Sequence, residues 1–164
     1  MRRAVALIAA VISLSSPAAA TEGGWVHVSF AHRHAPRVAA AEARALFADV
    51  NATRVRHGLP PLLADEHLAG LALDVARHMA DRGYFGHTDP SGVTFRDRLR
   101  TAGYRYRYAA ENMAFDRDEA HANAAFQRSR GHYENIVDRH PRKLGVAALA
   151  AGDGEIFYVE EFSD

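Results

Sequence analysis

A chain of 164 residues carrying 20 Lys and Arg against 20 Asp and Glu is long enough for one well-packed domain, and nothing in it supports a second. It contains no cysteine, which excludes disulfides, a cysteine metal knot, a cysteine nucleophile and a lipid-modified cysteine anchor. Taking the first 20 residues away removes only Arg2 and Arg3 from the 20 bases, leaving 18 against 20 acids, a balance that argues against a nucleic-acid partner.

In chain order, residues 1–20 have the three-part build of an export signal: Arg2 and Arg3, an apolar run from Ala4 to Leu14, and small residues ending at Ala20, where cleavage is expected. The run is well short of the ~20 apolar residues that span a bilayer, so no membrane-spanning segment is expected after cleavage. Residues 21–35, with His27, His32 and His34 and no sustained period, read as a solvated, flexible lead-in, and residues 36–164 as the folded domain. Pro36 suits the first turn of a helix that runs to His57 and places Ala43, Leu46, Phe47, Val50 and Arg54 on one face. Asn51 beside that face is expected to be buried and hydrogen-bonded. Asp65 caps a second helix whose apolar positions from Leu68 to Met79 fit the helical period without a gap.

"GYFGHTDPSG", residues 83–92, reads as loop, and a short helix from Phe95 to Ala102 follows. "YAAENMAF", Tyr108 to Phe115, reads as a short strand. Asp116 and Glu119 suggest a capping box opening a helix that ends at Gly131, with Ala120, Asn123, Ala124 and Gln127 on one face. Two strand-like runs around Asp153 and Gly154 predict a closing hairpin. Helices first and a hairpin last predict an α+β domain with helices packed on an antiparallel sheet.

No glycine-rich phosphate loop, HExxH or GxSxG motif is present, so any chemistry falls to His, Glu, Asp, Ser or Tyr. Three places draw attention. His87 follows the aromatic pair Tyr84 and Phe85, which is expected to pack inward. Glu111 and Asn112 interrupt an apolar segment, so that carboxylate is not simply part of a solvated face. Ser129, His132 and Asn135 recur at three-residue steps and fall along one side if helical geometry persists across Gly131. Each has a plainer alternative: a loop histidine bonded to its own turn, a histidine capping the preceding helix, and Glu111 paired with Arg105 or Arg107.

"DVNATRVRHGLPPLLADEHLAGLALDVARHMADRGYFGHTDPSG", then "AENMAF", "FQRSRGHYENI" and "GVAALAAGDGEIFYVEEF", stand in the order and spacing of a CAP domain. The chain thus resembles the superfamily of cysteine-rich secretory proteins, insect venom antigens and plant pathogenesis-related proteins, and within it the short bacterial secreted branch. The resemblance implies an α-β-α sandwich with an antiparallel sheet flanked by helices and an open cleft. It makes His87, Glu111 and His132 the cleft residues and the candidate ligands for Zn2+ or another divalent metal. Three departures qualify it: Phe126 replaces a tryptophan, Ser129 replaces a second glutamate, and Gly86 replaces the serine before the loop histidine. Glu160 and Glu161 stand where the branch tends to have a glutamine; of the two readings, a partial restoration of cleft charge or a solvated strand end, the second is expected.

The functional expectation is a secreted or periplasmic binding protein whose cleft takes a small-molecule, lipid or cell-envelope ligand or a divalent ion. The alternative is a metal- or histidine-dependent hydrolase of envelope peptide, glycan or lipid, with His87, Glu111, Ser129 and His132 as its candidate residues. The sequence leaves open whether there is catalysis.

Overall fold

The structure is a computed structural model that describes residues 24–28, 35–151 and 154–164. The expected signal segment, its cleavage point, His32, His34 and the hairpin's Asp153 lie outside the described residues.

Alternation along the last two strands organises the domain. β6 (Lys143–Ala150) and β7 (Ile156–Ser163) pair antiparallel, and β5 (Ala109–Asp116) pairs antiparallel with the other side of β7. Successive side chains of a strand point to opposite faces. Met113, Ala147, Phe157 and Val159 therefore meet Ala72, Val75 and Met79 of α2 (Glu66–Arg82) on one face. Ala114, Ala148, Tyr158 and Phe162 meet the other layer, α1 (Ala40–Arg56), α4 (Glu119–Arg128) and α5 (Arg130–Ile136), through Leu46, Val50, Phe126 and Ile136. The result is the expected α-β-α sandwich. Two short strands complete the sheet on β6: β2 (Arg37–Val38) antiparallel and β3 (Leu63–Ala64) parallel, so the sheet is not wholly antiparallel.

The second helix forms as its pattern dictates. Asp65 accepts from the Leu68 amide at 3.0 Å, and Gly83 closes the helix in the left-handed conformation, φ 66°, that a Cβ would penalise. The first helix begins four residues later than Pro36, because residues 37 and 38 are taken by the sheet edge. Asn51 is half-buried and fully engaged, donating to the Leu62 carbonyl and accepting from its amide.

Part of the lead-in is structured. β1 (Trp25–His27) pairs antiparallel with β4 (Tyr84–Gly86), which corrects both the flexible reading of 21–35 at those residues and the loop reading of 84–86. A three-residue strand is too short to show a period. The helix expected to start at Asp116 is capped instead by Asp118, and it stops at Ser129, whose φ of −82° and ψ of 117° are extended. Gly131 sits inside α5 rather than ending the preceding helix. Among the described residues no helix is long and apolar enough to cross a membrane.

Candidate functional site

β5 is an edge strand, and its adjacent Glu111 and Asn112 point to opposite faces of the sheet. Each holds one histidine-bearing segment. On the α2 face, Glu111 Oε1 meets His87 Nδ1 at 2.9 Å, while Oε2 accepts from Arg98 Nη2 at 2.7 Å. On the opposite face, Asn112 Nδ2 donates to the His132 carbonyl at 3.1 Å and to Glu160 Oε2 at 2.9 Å, and its Oδ1 accepts from Asn135 at 2.8 Å. The two histidines thus approach the same strand edge from either side.

The His87 loop is held at several points. Tyr84 and Phe85 are buried as expected, and Asp89 Oδ1 accepts from the amides of Ser91 and Val93 and from the Ser91 hydroxyl. Arg98, from α3 (Phe95–Thr101), also donates to the His87 carbonyl at 3.0 Å. The glycine at 86 has a steric reason: a Cβ there would lie 2.5 Å from the Gly24 carbonyl and 2.7 Å from Trp25 Cα. A serine in that position is incompatible with β1 lying where it does.

His132 stands edge-on to Phe126, centroids 5.2 Å apart at 86°. Burial, and then the proximity of His87, lower it to about 4, so it is uncharged at neutral pH. Ser129 does not join this group: its hydroxyl makes no cap bond and no hydrogen bond to either histidine among the described residues. Asn135, one turn beyond His132, does reach the site through Asn112.

Arg98 is the partner of Glu111 that sequence reasoning missed. The partners named for Glu111 were Arg105 and Arg107, its near neighbours in the chain; Arg107 instead binds Asp164 at 3.2 Å. Arg98 lies thirteen residues away and is delivered by a helix whose capping box, Thr94 with Asp97, is legible in the sequence but whose placement is not.

Glu160 and Glu161 correct a second expectation, for neither is a solvated strand end. β7 lies between β6 and β5 with helices over both faces, so one carboxyl is buried on each side, at 0% and 1% exposure. Burial pushes Glu160 up to about 8 despite the Asn112 hydrogen bond. Burial, with Glu111 alongside, pushes Glu161 up to about 8 against the pull of Arg98. Glu160 Oε1, Glu161 Oε2 and Arg98 Nε are buried without a partner among the described residues.

These carboxyls set a pH dependence of stability. Between their ordinary value of 4.5 and about 8, the folded chain keeps protons that the unfolded chain has released, so stability falls as pH rises across that window. Glu119, raised to about 7 by burial and then by Asp49, adds to the fall up to that pH. His132 acts oppositely between about 4 and its ordinary 6.5, where the unfolded chain binds the extra proton. Urea midpoints are therefore expected to drop most steeply between pH 6.5 and 8, and Glu161→Gln to remove about half of that drop. A drop of unchanged size in the variant would show Glu161 to be ionised and hydrated in the folded chain.

The site bears directly on the expected metal ligands. Both Glu111 oxygens are committed, one to His87 and one to Arg98, and among the described residues no three His, Asp or Glu side chains are disposed around one point to hold an ion. The donor set fits two imidazoles with a carboxylate orienting one of them, and does not fit a three-ligand zinc centre.

Comparison with known proteins agrees with this fold. A profile of the cysteine-rich secretory protein family, CAP, matches residues 47–162. The uncharacterized protein YkwD of Bacillus subtilis (strain 168) is 32% identical over 103 residues, 62% of this chain and 40% of that one. The crystal structure of an extracellular protein containing a SCP domain from Bacillus anthracis superposes with a TM-score of 0.68 at 30% identity, over 76% of this chain and 40% of that one. An outer surface protein from Borrelia burgdorferi shares the fold, with a TM-score of 0.71 at 20% identity over 76% of this chain and 92% of its own. The match thus spans about two fifths of the length of YkwD and of the Bacillus anthracis protein.

Proposed function

The chain belongs to the CAP family, and from that premise we propose that it is an exported binding protein whose cleft takes a small polar ligand or a divalent ion between His87 and His132, without turnover. The observation that carries this reading is the Glu111–His87 bond. A carboxylate at Nδ1 holds a proton there and orients the ring, leaving Nε2 as the nitrogen that Glu111 does not engage, on a side chain that is 51% exposed. His132 is uncharged beside it. A ring nitrogen that carries a lone pair accepts a hydrogen bond from a ligand's hydroxyl or amide group, or contacts a divalent ion weakly. Export is supported by the build of residues 1–20 and by relatives described as extracellular or outer-surface proteins.

Calorimetric titration with Zn2+ tests the ion-binding form. Saturable, weak binding is expected for the wild type and loss of it for His87→Ala and His132→Ala; a wild type that binds no more than the variants ends the metal reading.

One observation favours a second reading, a hydrolase: the Glu111–His87 pair has the arrangement of an oriented general base. It ranks below the first because Ser129, the hydroxyl that the sequence offers as a candidate, is not hydrogen-bonded to either histidine. Assay against peptidoglycan, casein and ester substrates decides it, since turnover that His87→Ala abolishes establishes the hydrolase and turnover that survives both histidine variants lies outside this cleft.

A further inference from the structure

The chain is neutral overall, but its cations are gathered. Residues 95–108 contain five arginines and a single acid, Asp97, and residues 138–143 contain Arg139, Arg142 and Lys143 beside Asp138. The fold brings these segments together, with the His140 ring stacked on Tyr108 at 5.3 Å and 15°. Two grooves flank the run Tyr104–Tyr108. One, of about 580 Å³, is lined by Arg96, Arg100 and Arg105 with Tyr104 and Tyr106. The other, of about 570 Å³, is lined by Arg107, Arg139 and Arg142 with Tyr108, His140 and Asp164. None of the cleft residues lines either groove.

Along that run the residues alternate, Arg105 and Arg107 exposed and the three tyrosines half-buried, so guanidiniums stand out from an aromatic floor. Acids answer only part of the charge: Asp97 binds Arg100 at 2.7 Å and Asp164 binds Arg107 at 3.2 Å. Among the described residues Arg96, Arg105 and Arg139 are exposed and form no ion pair, and the Arg142 guanidinium donates only to the Arg139 carbonyl, at 3.1 Å. A guanidinium presents a planar fork of donors that matches a carboxylate, and an aromatic face between such forks suits the apolar side of a sugar ring. We propose that the double groove binds a linear acidic polysaccharide, with its carboxylates on the unpaired arginines and its sugar rings against the tyrosines.

The surroundings disfavour a bilayer. The exposed large hydrophobics among the described residues are four, Val38, Val55, Leu63 and Val93, scattered along the chain; the Leu63 amide donates to the Arg142 carbonyl at 2.8 Å. Surface binding to lipid needs a broader apolar face. Export, which the proposed function includes, sets the grooves among envelope polysaccharides rather than nucleic acid, and single-stranded DNA is an arm of the test.

The test titrates the purified protein with polygalacturonate, with neutral dextran, with phosphatidylglycerol vesicles and with single-stranded DNA. Saturable binding of polygalacturonate that weakens with salt is expected, with none to dextran. The double variant Arg105→Glu with Arg139→Glu, both at exposed positions, is expected to weaken it by about tenfold or more, while His87→Ala leaves it unchanged, which separates this surface from the cleft. The variant's urea midpoint is checked against wild type. The proposal is overturned if polygalacturonate does not bind, if a folded double variant binds as well as wild type, or if vesicles or DNA bind more tightly.

Discussion

Arg54→Ala is expected to lower the free energy of unfolding by about 3 to 5 kcal/mol, a large share of the ~5–15 kcal/mol that holds a domain of this size. Arg54 is fully buried on the inner face of α1, where its Nε donates to the Pro60 carbonyl at 3.0 Å and its Nη1 to those of Ile136 and Asp138 at 2.8 and 2.7 Å. Burial, and then Arg142, depress its pKa; no carboxylate pairs with it among the described residues, so its partners are the backbone dipoles themselves. Truncation strands the buried Ile136 carbonyl and the part-buried carbonyls of Pro60 and Asp138, and leaves a large cavity. Arg54→Lys keeps the charge but lacks the fork, and is expected to recover only part of the loss. Because Ile136 ends the helix that carries His132, the substitution is also expected to admit water around that ring and raise its pKa from about 4 toward 6.5, as read by NMR titration. A loss below about 1 kcal/mol would mean that water already reaches those carbonyls.

Arg54 also marks how far the sequence carries. Its place on the inner face follows from helical spacing, yet nothing in the spacing says that a charged residue there is buried, because its acceptors come from two other segments. The second helix was legible from end to end, since Asp65, the apolar period and Gly83 are all local signals. His87, Glu111 and His132 were picked out through motifs that stand in order; His87 bonds Glu111, and the His132 carbonyl bonds Asn112 beside it on the same strand. Ser129 was not drawn in, because the chain is extended there and α5 starts afresh at Arg130. Glu160 and Glu161 were misread for a related reason. A strand's own residues do not announce whether it is an edge or the centre of a sheet, although the continuous run Ile156 to Val159 was consistent with cover on both faces. Arg98 is the converse case, a surface-like helical arginine made into a cleft residue by where its helix docks.

Gly145→Ala is expected to destabilise the chain by about 2 to 4 kcal/mol, more than one methyl group on a strand normally does. A Cβ at Gly145 would overlap the Ala69 amide nitrogen and the Leu68 carbonyl carbon and Cβ, all closer than the 3.0 Å that real Cβ atoms respect. The first two are backbone, so the added carbon cannot be cleared by a rotamer change; α2 must lift off β6. Gly70→Ala in the same helix is the internal control, because nothing lies within 4 Å of its Cβ. That substitution is expected to stabilise by about 0.5 to 1 kcal/mol through helix propensity. The consequence reaches the site, since Gly145 is the strand neighbour of Glu161, which faces Glu111 on its other side. Lifting α2 exposes the Glu161 carboxyl, so Gly145→Ala is expected to flatten the stability loss between pH 6.5 and 8 as well as lower its starting value. Gly70→Ala shifts the same curve upward without changing its shape. If Gly145→Ala instead lowered stability by the same amount at every pH, the strain would be absorbed within α2 and would not reach the carboxyl beneath it.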